Sequence, residues 1–223
     1  MKQKVVALVP VREGSQRVKR KNYIDFSNGK SLLDTKINQL KSAECFDHIY
    51  ISSDNETTKN IAHENGVNFL LRDSTACSAD MPWSEVVVSI MNTIPGDPIV
   101  VWALTTSPLF KGFKAAVDTY LANQELNDSL VAVLPKKSFF LNEKGRGINY
   151  NPGYWHPYSQ DLDVFYEVTG GCFIGKKSDM IKWNYWFGIN PFLFEVSLLE
   201  SIDVDTQSDF DFAKKLYEGF SRE

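Results

Sequence analysis

Two apolar runs without polar alternation constrain the fold most: VVALV at residues 5–9, and the IVVW inside PIVVWAL at residues 98–104. A strand with one wet face alternates apolar and polar residues, whereas a β-branched run without alternation belongs in a sheet covered on both faces. The rest of the first half supplies the covering. NGKSLLDTKINQLKS has a turn at Gly29, a cap at Ser31 and a helical apolar face of Leu33, Ile37 and Leu40. HIYISSD (48–54) reads as a second strand, a helix through Ile61 and Ala62 ends near Gly66, and VNFLL (67–71) is a short third strand. SEVVVSIMN (84–92) suits a helix, although its valine run also passes as strand; FKAAVDTYLA (113–122) is a helix and SLVAVLP (129–135) a strand. This alternation predicts an α/β fold with a mostly parallel sheet and helices on both faces. Ligands of such sheets bind beyond the carboxyl ends of the strands, which here gathers the loop after residue 10, SSD and TTSP on one edge.

The pattern stops at residues 136–165, which carry aromatics, glycines and prolines but no sustained period. Six aromatics between Phe139 and Tyr158 are too apolar to leave in solvent. The segment is expected to be an arm or small subdomain that packs on something, a second subunit being the natural candidate. The chain therefore divides into an α/β domain of residues 1–135 and 166–223 and an aromatic excursion of residues 136–165. Regular structure resumes at GGCFIG and ends in a helix with Phe210, Ala213, Leu216 and Tyr217 on one face.

Charge and composition exclude several roles. A net charge of -4 over 223 residues gives the protein as a whole no electrostatic case for binding nucleic acid. No run of 18 apolar residues predicts a membrane span, and the first residues lack the apolar length and cleavage site of a secretory signal. Cys45, Cys77 and Cys172 stand far apart without CxxC pairing, which reads as reduced thiols in a cytoplasmic protein. The three histidines are equally scattered, so no His/Cys zinc site is expected.

Against that acidic background, Arg12, Arg17, Lys19, Arg20 and Lys21 fall within ten residues directly after the first strand. Such cations repel one another unless an anion lies between them. A glycine-containing turn at Gly14 lets backbone amides approach phosphate oxygens, and each cation–anion contact near 4 Å contributes roughly 4 kcal/mol before desolvation. The alternative is a solvated basic loop. The loop matches neither the GxxxxGK[ST] nor the GxGxxG pattern. Near the other end, IDVDT (202–206) places Asp203 and Asp205 on one side of an extended segment, roughly 7 Å apart. Two such carboxylates suit Mg2+, which takes few carboxylates plus phosphate oxygens and water; the alternative is that one of them caps the following helix. Together the two features would bracket a nucleoside triphosphate for attack at one phosphorus.

The loop Arg12, Ser15, Lys21, Asn22 resembles the signature loop of the CMP-sialate synthetases (acylneuraminate cytidylyltransferases), with the spacing R-x-x-S-x-x-x-x-x-K-N. NGKSLLDTKI, SSD, LRDSTACSADMPWSE, TSPL and SIDVDTQSDFDFA are similar to further segments of that family, in order along most of the chain. The resemblance implies a Rossmann-like nucleotidyltransferase domain, a dimerisation excursion, and Mg2+. The implied reaction moves CMP from CTP to a sugar hydroxyl and releases pyrophosphate, giving a CMP-sugar for surface glycans such as capsule or lipopolysaccharide. It implies Arg12, Lys21 and Asp205 as catalytic residues and Asp203 with Asp205 as the metal pair. Arg12, Gly14, Ser15, Lys21, Asn22, Arg72, Asp80, Pro82 and Ser84 would surround the nucleotide.

The chain also departs from the family. ALTTSPLF puts Leu104 and Phe110 where glutamine and arginine are common, and Ser159 and Glu167 stand where arginines hold the acidic sugar's carboxylate. Tyr158, Gln160 and Glu167 are the candidate acceptor contacts, and Lys136 or Lys137 could hold an acidic group instead. A 3-deoxy-octulosonate, a non-acidic acceptor and a nucleotide-binding protein that has lost catalysis all stay open at this point.

Overall fold

The computed structural model describes residues 3–12, 14, 17–77 and 81–220. Its strands are β1 (Val5–Pro10), β2 (Asp25–Ser27), β3 (Lys30–Ser31), β4 (His48–Ser53), β5 (Asn68–Leu71), β6 (Ile99–Trp102), β7 (Ser129–Lys136), β8 (Phe165–Lys176) and β9 (Pro191–Glu195). The helices are α1 (Leu32–Ser42), α2 (Glu56–Glu64), α3 (Trp83–Thr93), α4 (Phe113–Asn123), α5 (Lys177–Trp183) and α6 (Gln207–Phe220). Seven strands form one sheet in the order β5-β4-β1-β6-β8-β7-β9, and β2 pairs with β3 in a separate hairpin.

The two unalternated runs lie at the centre, as their composition predicts. Val5, Ala7 and Val9 of β1 join Ile99 and Val101 of β6 in one core with Leu33, Ile37 and Leu40 of α1. Val6 and Leu8 join Val100 and Trp102 in a second core, with Val87, Ile90 and Met91 of α3. Successive residues of a strand face opposite ways, so each run feeds both cores. The valine run of α3 is helical because Val86, Val87, Ile90 and Met91 share one buried side.

The sheet is mostly parallel: β5, β4, β1 and β6 run together. β8 runs antiparallel to both β6 and β7, and β9 returns parallel to β7. β8 reverses direction because the chain comes back from β7 through the excursion rather than through a helical crossover. α5 and β9 are elements that the sequence reading did not anticipate; α5 ends at Asn184, whose left-handed φ of 54° stops the helix.

The excursion leaves the sheet at Lys136 and rejoins it at Phe165, and these two residues are partners in the β7–β8 ladder. Inside it, Phe139 stacks on His156 with ring centroids 4.7 Å apart and meets Tyr150 edge-on at 4.8 Å. Tyr154, Trp155 and Tyr158 point outward, 92%, 83% and 76% exposed.

Candidate active site

A cleft of about 550 Å³ opens at the carboxyl edge of β1 and β6. Arg12, Arg17, Lys21 and Asn22 line it from the basic loop, Asp203 and Asp205 from the segment before α6, and Leu104, Thr105 and Thr106 from the loop after β6. Pro10 and Trp83 complete it. The basic loop and the aspartate pair, some 190 residues apart in sequence, therefore share one cavity.

The loops are tied together by backbone groups. Asn22 donates from Nδ2 to the Arg12 carbonyl at 3.4 Å and accepts from Thr105 Oγ1 at 2.7 Å. Lys21 donates from Nζ to the Val204 carbonyl at 2.5 Å. Val204 in turn donates its N–H to the Thr106 carbonyl at 2.8 Å. Residues 202–205 form no strand, and the buried Val204 separates two aspartates that both line the cleft.

Neither aspartate is used up in capping α6. Thr206 accepts from the Asp209 N–H at 3.3 Å, while the Asp209 carboxylate accepts from the Thr206 N–H at 2.7 Å. This reciprocal cap satisfies the helix end and leaves Asp203 and Asp205 to the cavity. Arg17 donates to Asp205 Oδ1 at 2.7 Å, with both side chains substantially exposed. Such an exposed pair contributes under about 1 kcal/mol, so an incoming anion can displace it.

Asp203 lies deeper. Burial pushes its carboxyl above the ordinary range, hydrogen bonds with Thr106 and Ser107 and the charge of Lys21 pull it down, and Asp205 raises it further. Lys21 moves down, because burial outweighs its attraction to Asp203 and Asp205 while Arg17 and Arg12 repel it. The Lys21 ammonium is poorly solvated, and a ligand bearing phosphates and a cation would match the charges of both groups. Gly170 of β8 lies against Ser107 and Asp203. A Cβ there would lie 2.5 Å from Ser107 Oγ and 3.1 Å from Asp203 Oδ1, so only glycine lets these side chains settle on the sheet.

Among the described residues no group of three or more His, Cys, Asp or Glu is placed to hold a metal. A site of two carboxylates open to a cavity fits Mg2+, which completes its shell with phosphate oxygens and water.

Other expected residues fall elsewhere. Arg72 is buried, donating to the Val11 carbonyl at 2.8 Å and to Cys77 Sγ at 2.9 Å, so it supports the strand end beneath the basic loop rather than lining the cleft. Pro82 and Ser84 flank the cleft residue Trp83 at the start of α3. Gly14 is exposed, and Ser15 and Asp80 lie outside the described residues. Tyr158, Gln160 and Glu167 do not line this cleft: the first two are exposed on the excursion, and Glu167 pairs with Lys136 at 3.0 Å beside a separate cleft. Lys136, paired with the largely exposed Glu167, lines that separate cleft and not the one between the basic loop and the aspartates. Phe110, at a position where the resemblance leads one to look for a cation, is fully buried 4.9 Å from Phe113.

Trp83 was missed by the sequence reading. Its indole is backed by Trp186 and Trp102, at centroid distances of 4.7 and 6.0 Å, and Trp186 stacks on Phe173 at 4.0 Å. The cleft wall is therefore backed by an aromatic cluster. The only sequence signal was its place between Pro82 and Ser84, since a tryptophan at a helix start ordinarily reads as core.

A family model described as cytidylyltransferase matches residues 6–220. The chain is 27% identical over 226 residues to a pseudaminic acid cytidylyltransferase of Campylobacter jejuni, with 96% of each chain covered. It is 24% identical over 221 residues to an N-acylneuraminate cytidylyltransferase of Streptococcus agalactiae, covering 93% of this chain and 52% of that protein. Among solved structures, a CMP:2-keto-3-deoxy-manno-octonic acid synthetase complexed with CTP superposes with a TM-score of 0.70 at 11% identity, covering 97% of this chain and 99% of that one. A Francisella tularensis 2-C-methyl-D-erythritol 4-phosphate cytidylyltransferase gives 0.66 at 14% identity, covering 95% and 99%. These two likenesses establish the fold.

Proposed function

Since the chain belongs to the cytidylyltransferase family, we propose that its cleft transfers CMP from CTP to a hydroxyl of a nonulosonic, sialic-acid-like sugar and releases pyrophosphate. One observation carries this reading: Arg12, Arg17 and Lys21 line a single cavity together with Asp203 and Asp205. The pseudaminic and N-acylneuraminate names of the relatives support the acceptor class.

In this reading Arg12 and Lys21 bind the triphosphate and neutralise charge that builds up on the phosphoryl oxygens and the leaving pyrophosphate. Arg17 changes partner from Asp205 to phosphate as the nucleotide enters. Trp83 offers the base a stacking face on the opposite wall. Asp203 and Asp205 would hold Mg2+, which would supply charge neutralisation and Lewis acidity there. Asp205 would accept a proton from the sugar hydroxyl. Leu104 makes one stretch of the wall apolar and excludes water there.

The same reading includes a homodimer. Tyr154, Trp155 and Tyr158 are too exposed and too clustered for a solvated surface, and a second copy is the cover that the excursion suits. Among the described residues no helix is long and apolar enough to cross a membrane. The product would serve surface glycan synthesis from the cytoplasm.

The test is pyrophosphate release from CTP and Mg2+ with a panel of acceptors: pseudaminic acid, N-acetylneuraminic acid, 3-deoxy-octulosonate and neutral sugars. Release with a nonulosonic acid supports the proposal. Release only with a neutral sugar refutes the acceptor class, and CTP binding without turnover on any acceptor refutes the activity.

A further inference from the structure

Lys36 has no part in the proposed chemistry, yet it is the most unusual charge in the molecule. It lies on α1 and is fully buried, with no carboxylate partner among the described residues. An isolated buried ammonium is among the most unfavourable groups a core can hold, and a methionine would fill the same space without it. Its contacts indicate what it is for. Nζ donates to the Ser107 carbonyl at 2.8 Å and sits 5.0 Å from the centroid of the Phe113 ring.

Three residues further along the same helical face, Gln39 donates to the Pro108 carbonyl. α1 thus grips two successive carbonyls of the loop that follows β6. The other side of that loop carries the aspartate segment: Thr106 accepts the Val204 N–H, and Ser107 Oγ lies 3.5 Å from Asp203 Oδ1. Ser107 is itself completely buried and presses on Gly170 from above. Its carbonyl is held by Lys36 and its hydroxyl faces Asp203.

We infer that Lys36 is a positioning residue for the metal-binding aspartate, fixing the Asp203 carboxylate through the Ser107 backbone. The inference rests on the proposed function for the role of Asp203. Removing a group that orients a metal-holding residue ordinarily lowers metal affinity or activity by about 10- to 100-fold.

The test compares wild type with K36M, which is one atom shorter and loses the donor, and with K36Q, which restores a donor at that same shorter reach. Mn2+ affinity in the presence of CTP is measured by electron paramagnetic resonance, and kcat and KM are measured in the Mg2+ reaction. The expected result for K36M is Mn2+ affinity and kcat each down by about tenfold, an unchanged KM for CTP and undiminished stability, with part of the loss recovered in K36Q. A core-filling lysine would move stability alone. Equal Mn2+ affinity and kcat in K36M and wild type would overturn the inference while leaving the proposed function intact; a wild type that binds no Mn2+ with CTP would overturn the proposed function itself. If K36M does not fold, Q39L, which removes the second grip, decides: weaker Mn2+ binding supports the inference, and unchanged binding refutes it.

Discussion

Replacing Lys36 by methionine is expected to stabilise the protein, by an amount that depends on pH. Burial lowers the Lys36 ammonium from 10.5 to about 7. At about 1.36 kcal/mol per pKa unit, carrying the charged group costs the fold up to the order of 5 kcal/mol. The native state then binds fewer protons than the unfolded chain between pH 7 and 10.5, so the wild type gains stability as pH rises through that window. Below pH 7 the whole penalty applies. Methionine removes it but leaves the Ser107 carbonyl without its donor, a loss of about 1–3 kcal/mol. The balance is a variant more stable than wild type by about 2–4 kcal/mol near pH 6, with a crossover above pH 8 and a small deficit near pH 10. Cys172, the titratable neighbour, is pushed well above the ordinary thiol range by burial and stays neutral across this window. Urea unfolding of both proteins from pH 6 to 10 measures the difference, and groups distant from residue 36 cancel in it. A difference that does not vary with pH, or a K36M protein less stable at pH 6, would refute the argument.

Three further outcomes are expected. Because burial holds the Asp203 carboxyl above its usual range, metal-dependent activity should fall on an acid limb above the ordinary carboxylate region; D203N should lose about 100-fold in kcat and show no such limb in the pH–rate profile. CTP should quench Trp83 fluorescence, and W83A should weaken CTP binding about tenfold by equilibrium titration, as loss of one stacked base does. Changing Tyr154 and Trp155 together to serine should convert a dimer to a monomer in sedimentation velocity while leaving the melting temperature of the α/β domain within a few degrees.

The parts of the molecule that were legible in the sequence are those where physics leaves little choice. VVALV and IVVW had to be central strands, and of the five cations after the first of them Arg12, Arg17 and Lys21 line the cleft while Lys19 and Arg20 are exposed outside it. The aspartate pair was legible for its chemistry but not its form, since one hydrogen bond through Val204 does the work expected of a strand. Lys36 was invisible because a lysine between Thr35 and Ile37 on an amphipathic helix reads as solvated; only the tertiary contact with Ser107 shows otherwise. Trp83 and Phe110 show the same limit, because an aromatic side chain can line a cavity or fill a core and spacing does not distinguish the two. α5 and β9 lie in a stretch whose aromatics mask any period, and they are fixed by pairing with β7 and by packing under Phe173.

The closed ladder at the root of the excursion has an evolutionary consequence. Lys136 and Phe165 sit opposite each other whatever lies between them, so the intervening chain begins and ends at one place on the sheet. Doubling its length would add only about 0.6 kcal/mol of closure entropy. Insertions, deletions and wholesale replacement of this stretch can therefore accumulate without disturbing strand register, so this part of the chain is free to diverge while the α/β half is held fixed.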